Sequence, residues 1–381
     1  MTRLCVFPND PLEAYLKKGE IKTRYFNPCE MFDEVHVVTL ADRDITPDAV
    51  QEVAGTARLF VPPMGAVSLA TLPRLAAYRR RVLTRLAQIQ PDVIRAYNPL
   101  WAGWLAVSCA KVLKVPSVVS IHGNYDKDVR RLYWLEGRLL HFLKYSLFAF
   151  TTEPYVLGGA DRVICAYGFP AEYVRRYGAR GVTIIYNQVD LDRFAPVSKN
   201  GASGMLEILT VGRLDREKNH ACLIRSLVGT SGLRLRIVGD GKEYAPLNRL
   251  VQRLKLEDRV EFVRSVPHRE IHREYQRADV FAIATRYGGI HIPVLEAMAQ
   301  GLPVVTPKPR WEREPELVAG SALVVENTPE AFREGFLCLR DDPALRLKLS
   351  VLARQRIMPL GGSVMEAQER QVYEEVLAHG T

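Results

Sequence analysis

The sequence predicts an α/β protein of two domains, and three observations carry that reading. Through the second half of the chain, short apolar runs alternate with segments of helical spacing, the pattern of a parallel sheet covered by helices on both faces. A polar, glycine-containing stretch at 196–204 (PVSKNGASG) reads as a linker. The chain has 381 residues, enough for a domain of ordinary size on either side of that linker.

The elements follow in order. Residues 4–7 (LCVF) are an apolar first strand that runs into Pro8-Asn9-Asp10-Pro11. Residues 116–121 form another apolar strand, ending at His122. After the linker, 208–211 (ILTV) fits a buried strand. A polar turn from Gly212 to Asn219 follows, and helical spacing resumes at 221–227 with Asn219 as its N-cap. Residues 233–238 are the next strand, closed by Gly239-Asp240-Gly241, with a helix at 244–254. Strands at 260–263 and 280–285 complete the alternation. Pro293 suits the first position of a helix, where its missing N–H costs nothing, and Gly301 suits the residue just past its end. A last helix at 363–378 lies beyond Gly361-Gly362.

In a parallel sheet the turns after the strands converge on one edge, where ligands bind. That edge carries Arg213, Lys218 and Glu296. Each alone would pass for a solvated turn residue or a first-turn dipole partner. Together, two fixed cations and a carboxylate can hold a nucleotide diphosphate and its ribose. Gly288 and Gly289 let backbone approach a ligand, and the helix start at Pro293 presents free N–H groups to an anion. His122 stands at the corresponding edge of the first domain, although a lone histidine at a strand end is often structural.

Three segments then carry a family resemblance: Val211-Gly-Arg-Leu-Asp-Arg-Glu-Lys-Asn219, Ile237-Val-Gly-Asp-Gly241, and Ile292-Pro-Val-Leu-Glu-Ala-Met-Ala-Gln-Gly-Leu-Pro-Val304. With 185–194 (IYNQVDLDRF) and 160–165 (ADRVIC), they resemble the retaining glycosyltransferases of family 4. The resemblance covers nearly the whole chain and is strongest over 161–305. It implies the GT-B architecture, two Rossmann-like domains facing across a cleft, with a C-terminal helix crossing back to the first. The domains would be 1–195 for the acceptor, 205–360 for the nucleotide-sugar donor, and 361–381 for the returning helix. It also implies roles. Arg213 and Lys218 would clamp the donor diphosphate, and His122 would reach the transferred sugar. Glu296 would hold the ribose, with Gly212, Gly288, Gly289, His291, Ile292 and Pro293 completing the donor site. The base would lie against 263–267, which includes Val266. Lys18, Gly19 and Asn124 would contact acceptor or phosphate. No metal or other cofactor would be required. The partners would be a nucleoside-diphosphate sugar and a small-molecule or glycan acceptor, and the anomeric configuration would be kept. Two rivals stand beside this reading: a nucleotide-sugar epimerase of the same architecture, and a non-catalytic sugar-nucleotide binder at a membrane surface.

The chain departs from the family pattern at two places. A glutamate usually stands eight positions before the second one, and here that position is Gly288. His291 replaces a usual glycine. Either the donor sugar is unusual, for example lacking a hydroxyl, or His291 and backbone amides take over the contact, or catalysis is lost, against which the intact diphosphate clamp argues. At the N-terminus, Pro8-Asn-Asp-Pro11 stands in place of a glycine-rich turn, and the nearby glycine is Gly19.

The formal charge of +9 suits an anionic co-substrate. No recognition motif accompanies it, so nucleic acid is not expected as a partner. Basic and aromatic residues mix in 74–85 and 130–150. The reading adopted for these helices is an apolar face packed inside the first domain, with the cations solvated. Peripheral contact with an acidic membrane face is the alternative. The six cysteines show no C-x-x-C pair and no zinc spacing, which points to free thiols in a reducing compartment. No apolar run is long enough to span a bilayer and no signal peptide is evident, so a cytoplasmic location is expected.

Overall fold

The computed structural model describes residues 1–17, 21–67, 74–196, 204–264, 266–286, 291–309 and 317–379. The chain forms two compact units, Met1–Tyr186 with Ser363–Thr381, and Asn187–Gly362. Each is built on one parallel sheet.

The first unit has seven strands: β1 Arg3–Phe7, β2 Glu34–Val37, β3 Arg58–Phe60, β4 Val93–Ala96, β5 Ser117–Ile121, β6 Arg162–Cys165 and β7 Val182–Ile184. Their order is β3-β2-β1-β4-β5-β6-β7. The order reverses between β1 and β4, which opens a crevice at the carboxyl ends of those strands. Central strands buried on both faces are nearly all apolar, as the Val and Ile of β5 show. Arg95 is the exception in β4. It is buried, donates to Tyr373 Oη at 2.7 Å and Ser120 Oγ at 3.0 Å, and pairs with Glu369. Glu369 and Tyr373 lie on the final helix, Gly362–His379. Phe32 packs edge-on against Tyr373 at 5.1 Å. A buried guanidinium needs a compensating charge, and the C-terminal helix supplies it to this sheet.

The second unit has six strands: β8 Leu206–Val211, β9 Leu233–Val238, β10 Val260–Val263, β11 Val280–Ala282, β12 Val304–Pro307 and β13 Leu323–Val325. Their order is β10-β9-β8-β11-β12-β13, with the reversal between β8 and β11. Residues 187–195, read from the sequence as part of the first domain, lie in the second unit. Val189 bridges to Gly361, Phe194 packs edge-on against Tyr275 at 5.4 Å, and Gln300 donates to the Ala195 carbonyl at 2.6 Å.

The basic helices divide into two cases. In the helix Leu75–Ile89, Tyr78, Val82, Leu86 and Ile89 are buried as the periodicity requires. Arg79 is structural, donating to the Ser108 hydroxyl and carbonyl, both at 3.0 Å. The helix Leu139–Phe150 corrects the sequence reading, because its apolar face is not packed inside. Phe148 is its one buried residue, while Leu139, Leu140, Leu143, Leu147 and Phe150 are exposed. A helix apolar on nearly every side cannot bury them all against one neighbour. All six cysteines are free thiols, and Cys5, Cys109, Cys165 and Cys222 are buried.

Candidate functional site

In the second unit, the turns after β8, β9 and β10 are tied into one edge. The Leu214 N–H donates to the Asp240 carbonyl at 2.9 Å, and the Glu243 N–H to the Leu214 carbonyl at 2.8 Å. The Gly239 N–H donates to the Val263 carbonyl at 2.9 Å. Gly239 and Gly241 make this closeness achievable. At Gly239 (φ +146°) a Cβ would lie 2.0 Å from the Gly212 oxygen, and at Gly241 (φ +159°) 2.5 Å from the Leu214 oxygen. The Gly-Asp-Gly segment is therefore a backbone-packing element that fixes where the 212–218 turn sits.

Lys218 lies in a short 3-10 turn, Arg216–Lys218, and is half-buried. Its ammonium acts on two histidines. Burial, and then the Lys218 charge, push the His220 pKa down to about 4 and hold His291 well below the usual imidazole value. The Lys218 charge is thus felt both at His220, which opens the helix His220–Ser226, and at His291, which caps the helix Ile292–Gln300, and both imidazoles are neutral at physiological pH. Two contacts brace the turn after β8. The Arg286 N–H donates to the Glu217 carbonyl at 3.0 Å, across the β8/β11 reversal. Asn327 donates to the carbonyls of Ala284 and Thr285 and accepts from Asn219 at 3.2 Å. Asn219 does stand at the N-cap position, but in a left-handed conformation (φ 54°) with its side chain spent on Asn327 rather than on capping.

Arg213 is exposed and forms an ion pair with Asp215 at 3.2 Å. The helix Ile292–Gln300 begins one residue earlier than the sequence suggests, with His291 as its N-cap and Pro293 at the second position. Gly301 closes it in the left-handed conformation (φ 76°). Glu296 is buried in its second turn. The carboxylate is gripped from two sides: Tyr275 Oη donates to Oε2 at 2.7 Å, and His268 Nε2 lies 3.0 Å from Oε1. Ile292 and Val266 are half-buried, Val266 in the segment after β10. Arg264 in that segment pairs with Asp240 at 2.8 Å and lies over the Tyr244 ring at 4.5 Å.

The structure therefore puts the 212–218 turn and the end of β11 side by side, joined by the Arg286 N–H to the Glu217 carbonyl at 3.0 Å, with the Lys218 charge felt at His291. Arg213 instead points to Asp215, on the same turn. Gly288 and Gly289 fall outside the described residues, as do Lys18 and Gly19. Tyr275, His268 and Asp215 are the residues that sequence reasoning missed. Tyr275 and His268 stand 21 and 28 positions from Glu296, and no local spacing announces either.

In the first unit, His122 follows β5 at the sheet's carboxyl edge. Its ring stacks on Tyr97 at 5.9 Å with an interplanar angle of 6°. Tyr97 in turn stacks on Tyr25 at 5.7 Å. Desolvation, and then the Arg95 guanidinium, lower the His122 pKa, while the ring keeps an exposed face. A neutral imidazole held by stacking is a hydrogen-bonding group with a fixed plane. Asn124 is buried, and its Oδ1 accepts from the Asp126 N–H at 3.0 Å, which starts the turn Tyr125–Arg131.

Two family models match the chain. Residues 196–356 match Glycosyl transferases group 1, and residues 30–193 match Glycosyltransferase Family 4. Among curated proteins, glycogen synthase of Mycobacterium tuberculosis is 27% identical over 291 residues, covering 70% of this chain and 64% of that protein. The match thus spans less than two thirds of that relative's length. Among solved structures, sucrose-phosphate synthase from Thermosynechococcus elongatus superposes with a TM-score of 0.75 at 19% identity, covering 100% of both chains. An Anabaena HepE protein in complex with UDP-glucose superposes with a TM-score of 0.71 at 17% identity, covering 98% of this chain and 99% of that one. These likenesses establish a GT-B fold.

Proposed function

Since the chain belongs to the group 1 glycosyl transferases of family 4, we propose that it moves a sugar from a nucleoside-diphosphate donor to an acceptor hydroxyl, with retention of configuration and without a bound metal. The observation that carries this reading is the edge of the second unit. There, Lys218 and the N-terminus of the helix Ile292–Gln300 share one neighbourhood at the β8/β11 reversal, with Arg213 on the same turn. When the bond from the anomeric carbon to the phosphate oxygen breaks, negative charge grows on the departing diphosphate. A guanidinium fork, an ammonium and the positive end of the helix dipole answer that charge; the expected free N–H groups do not include those of Val294 and Leu295, which donate to the His291 carbonyl. The acceptor oxygen bonds to the anomeric carbon, and its proton passes to a leaving phosphate oxygen. Glu296, fixed by Tyr275 and His268, accepts from the ribose diol. In the first unit, His122 supplies a hydrogen-bonding group for the transferred sugar. With Gly288 in place of a glutamate, His291 takes over contact with the sugar hydroxyls.

The test is a thermal-shift screen of the whole chain against UDP-, GDP-, ADP- and dTDP-linked sugars in EDTA. At about 100 times Kd, a donor is expected to raise the melting temperature by roughly 5–10 °C. Released nucleoside diphosphate should persist in EDTA once an acceptor is supplied. Absence of stabilisation by every donor would remove the reading, and turnover abolished by EDTA would remove the metal-free part.

A second expectation concerns the grip on Glu296. Tyr275→Phe deletes the 2.7 Å hydrogen bond to a buried carboxylate. It should weaken nucleotide binding by about 10-fold in calorimetry, with kcat little changed. Unchanged affinity would show that Tyr275 does not position the carboxylate for ligand.

A further inference from the structure

We propose that the first unit docks on an anionic lipid bilayer through the outward face of the helix Leu139–Phe150 and the segment before it. This stands apart from the transferase reading. Leu140 is 81% exposed, Phe150 86% and Trp134 60%, and Leu135, Leu139, Leu143 and Leu147 are exposed as well. Positions 140, 143, 147 and 150 recur at intervals of three and four, so they form one stripe along the helix. Scattered exposed leucines need no explanation, but a continuous stripe of Leu and Phe bordered by Trp does.

The inner side of the same helix is anchored. Phe148 packs edge-on against Trp101 at 5.6 Å, and Tyr145 against Phe148 at 5.9 Å. Trp134 and Phe142 meet at 5.1 Å, which joins the preceding short helix to this surface. The stripe is therefore held outward by packing on the opposite side.

Charge selects the occupant. From 131 to 150 the cations are Arg131, Arg138 and Lys144, against a single carboxylate, Glu136, which pairs with Arg138 at 3.6 Å; Arg131 also reaches Asp126 at 3.8 Å, where Arg130 and Arg176 keep the local balance positive. Arg131 and Lys144 are exposed. Arg138 lies over the Tyr133 ring at 4.2 Å, and Lys144 lies 5.6 Å from the Tyr145 ring centroid. Apolar side chains with an aromatic border and flanking cations match the acyl–headgroup boundary of an acidic membrane. A second copy of this chain would oppose cations with cations across a two-fold axis, so the lipid surface is the better complement. Among the described residues no helix is long and apolar enough to cross a membrane, so this helix would lie in the interface plane.

Flotation of the whole chain tests the proposal, with vesicles of phosphatidylcholine alone and of phosphatidylcholine mixed with phosphatidylglycerol. The protein should float with the acidic vesicles and stay behind with the neutral ones. The triple variant Leu140→Ser, Leu147→Ser, Phe150→Ser should partition about 100-fold less with an unchanged melting temperature, because all three side chains are exposed. Arg131→Glu with Lys144→Glu should abolish the preference for acidic vesicles and serves as the second variant should the first misfold. Vesicle addition should shift the emission of the wild-type protein to the blue, and Trp134→Phe should remove that shift. Failure to float with either vesicle, or equal flotation of both variants, would overturn the proposal. So would a dimer in size-exclusion chromatography that the triple variant dissociates, since the face would then be a self-interface.

Discussion

Replacing Arg213 or Lys218 by alanine is expected to lower kcat by roughly 100- to 1,000-fold, with little change in melting temperature. The stability part follows from the geometry. Arg213 is exposed, and its ion pair with Asp215 at 3.2 Å is of the surface kind, which contributes little to folding. The rate part follows from the proposed role, in which each cation would answer negative charge that exists fully only as the diphosphate leaves. Asp215→Ala is the informative control, because it frees Arg213 without deleting it and should leave turnover within a few-fold of normal. Lys218→Ala has a second signature. The ammonium is one cause of the low pKa values of His220 and His291, so its removal should raise both in an NMR titration, while desolvation still keeps them below the usual value. Near-normal turnover in either alanine variant would end the diphosphate assignment, whatever the titrations show.

Glu153→Ala should destabilise the first unit by about 3–5 kcal/mol. Glu153 is fully buried in the first turn of the helix Thr152–Gly159. Both of its oxygens accept from Arg130 Nη1, at 2.8 and 3.0 Å, and Tyr173 donates to it as well. Burial, and then the Glu153 charge, hold the Tyr173 hydroxyl far above its ordinary pKa, so it remains a neutral donor. Arg130 also donates to Tyr177 Oη at 3.3 Å. Removing the carboxylate leaves the buried guanidinium with the half-buried Asp126, 3.7 Å away, as its remaining counter-charge among the described residues, which costs more than the net worth of the pair. Urea denaturation, followed by tyrosine and tryptophan fluorescence, measures the loss. The double variant Glu153→Leu, Arg130→Leu should recover most of it, because an apolar pair replaces the ionic one without leaving a charge behind. A double variant no better than the single one would place the cost in lost packing instead.

Much of the second unit was legible from one-dimensional signals. The 233–238 strand, the 244–254 helix and the 260–263 strand fall where periodicity puts them, and Gly301 ends its helix in the left-handed conformation expected of a residue past a C-terminus. These features are local, because period, cap and turn residue all act within a few positions. Other placements misled. Asn219 has the composition of a cap but answers to Asn327, more than a hundred residues away. The apolar content of Leu139–Phe150 suggested an interior helix, yet the helix offers more apolar side chains than its neighbours can cover, and the surplus faces out.

By itself, the sequence determined the alternation of strand and helix, the glycine turns that let backbones meet at the sheet edge, and the residue types able to meet a diphosphate. Only the tertiary structure decided which distant groups complete them. Tyr275 and His268 hold Glu296, Glu369 and Tyr373 answer the buried Arg95, and Arg130 and Tyr173 enclose Glu153. The reason is physical. Periodicity says which way a side chain faces along its own element, whereas the partner of a buried charge comes from another element, and packing brings the two together.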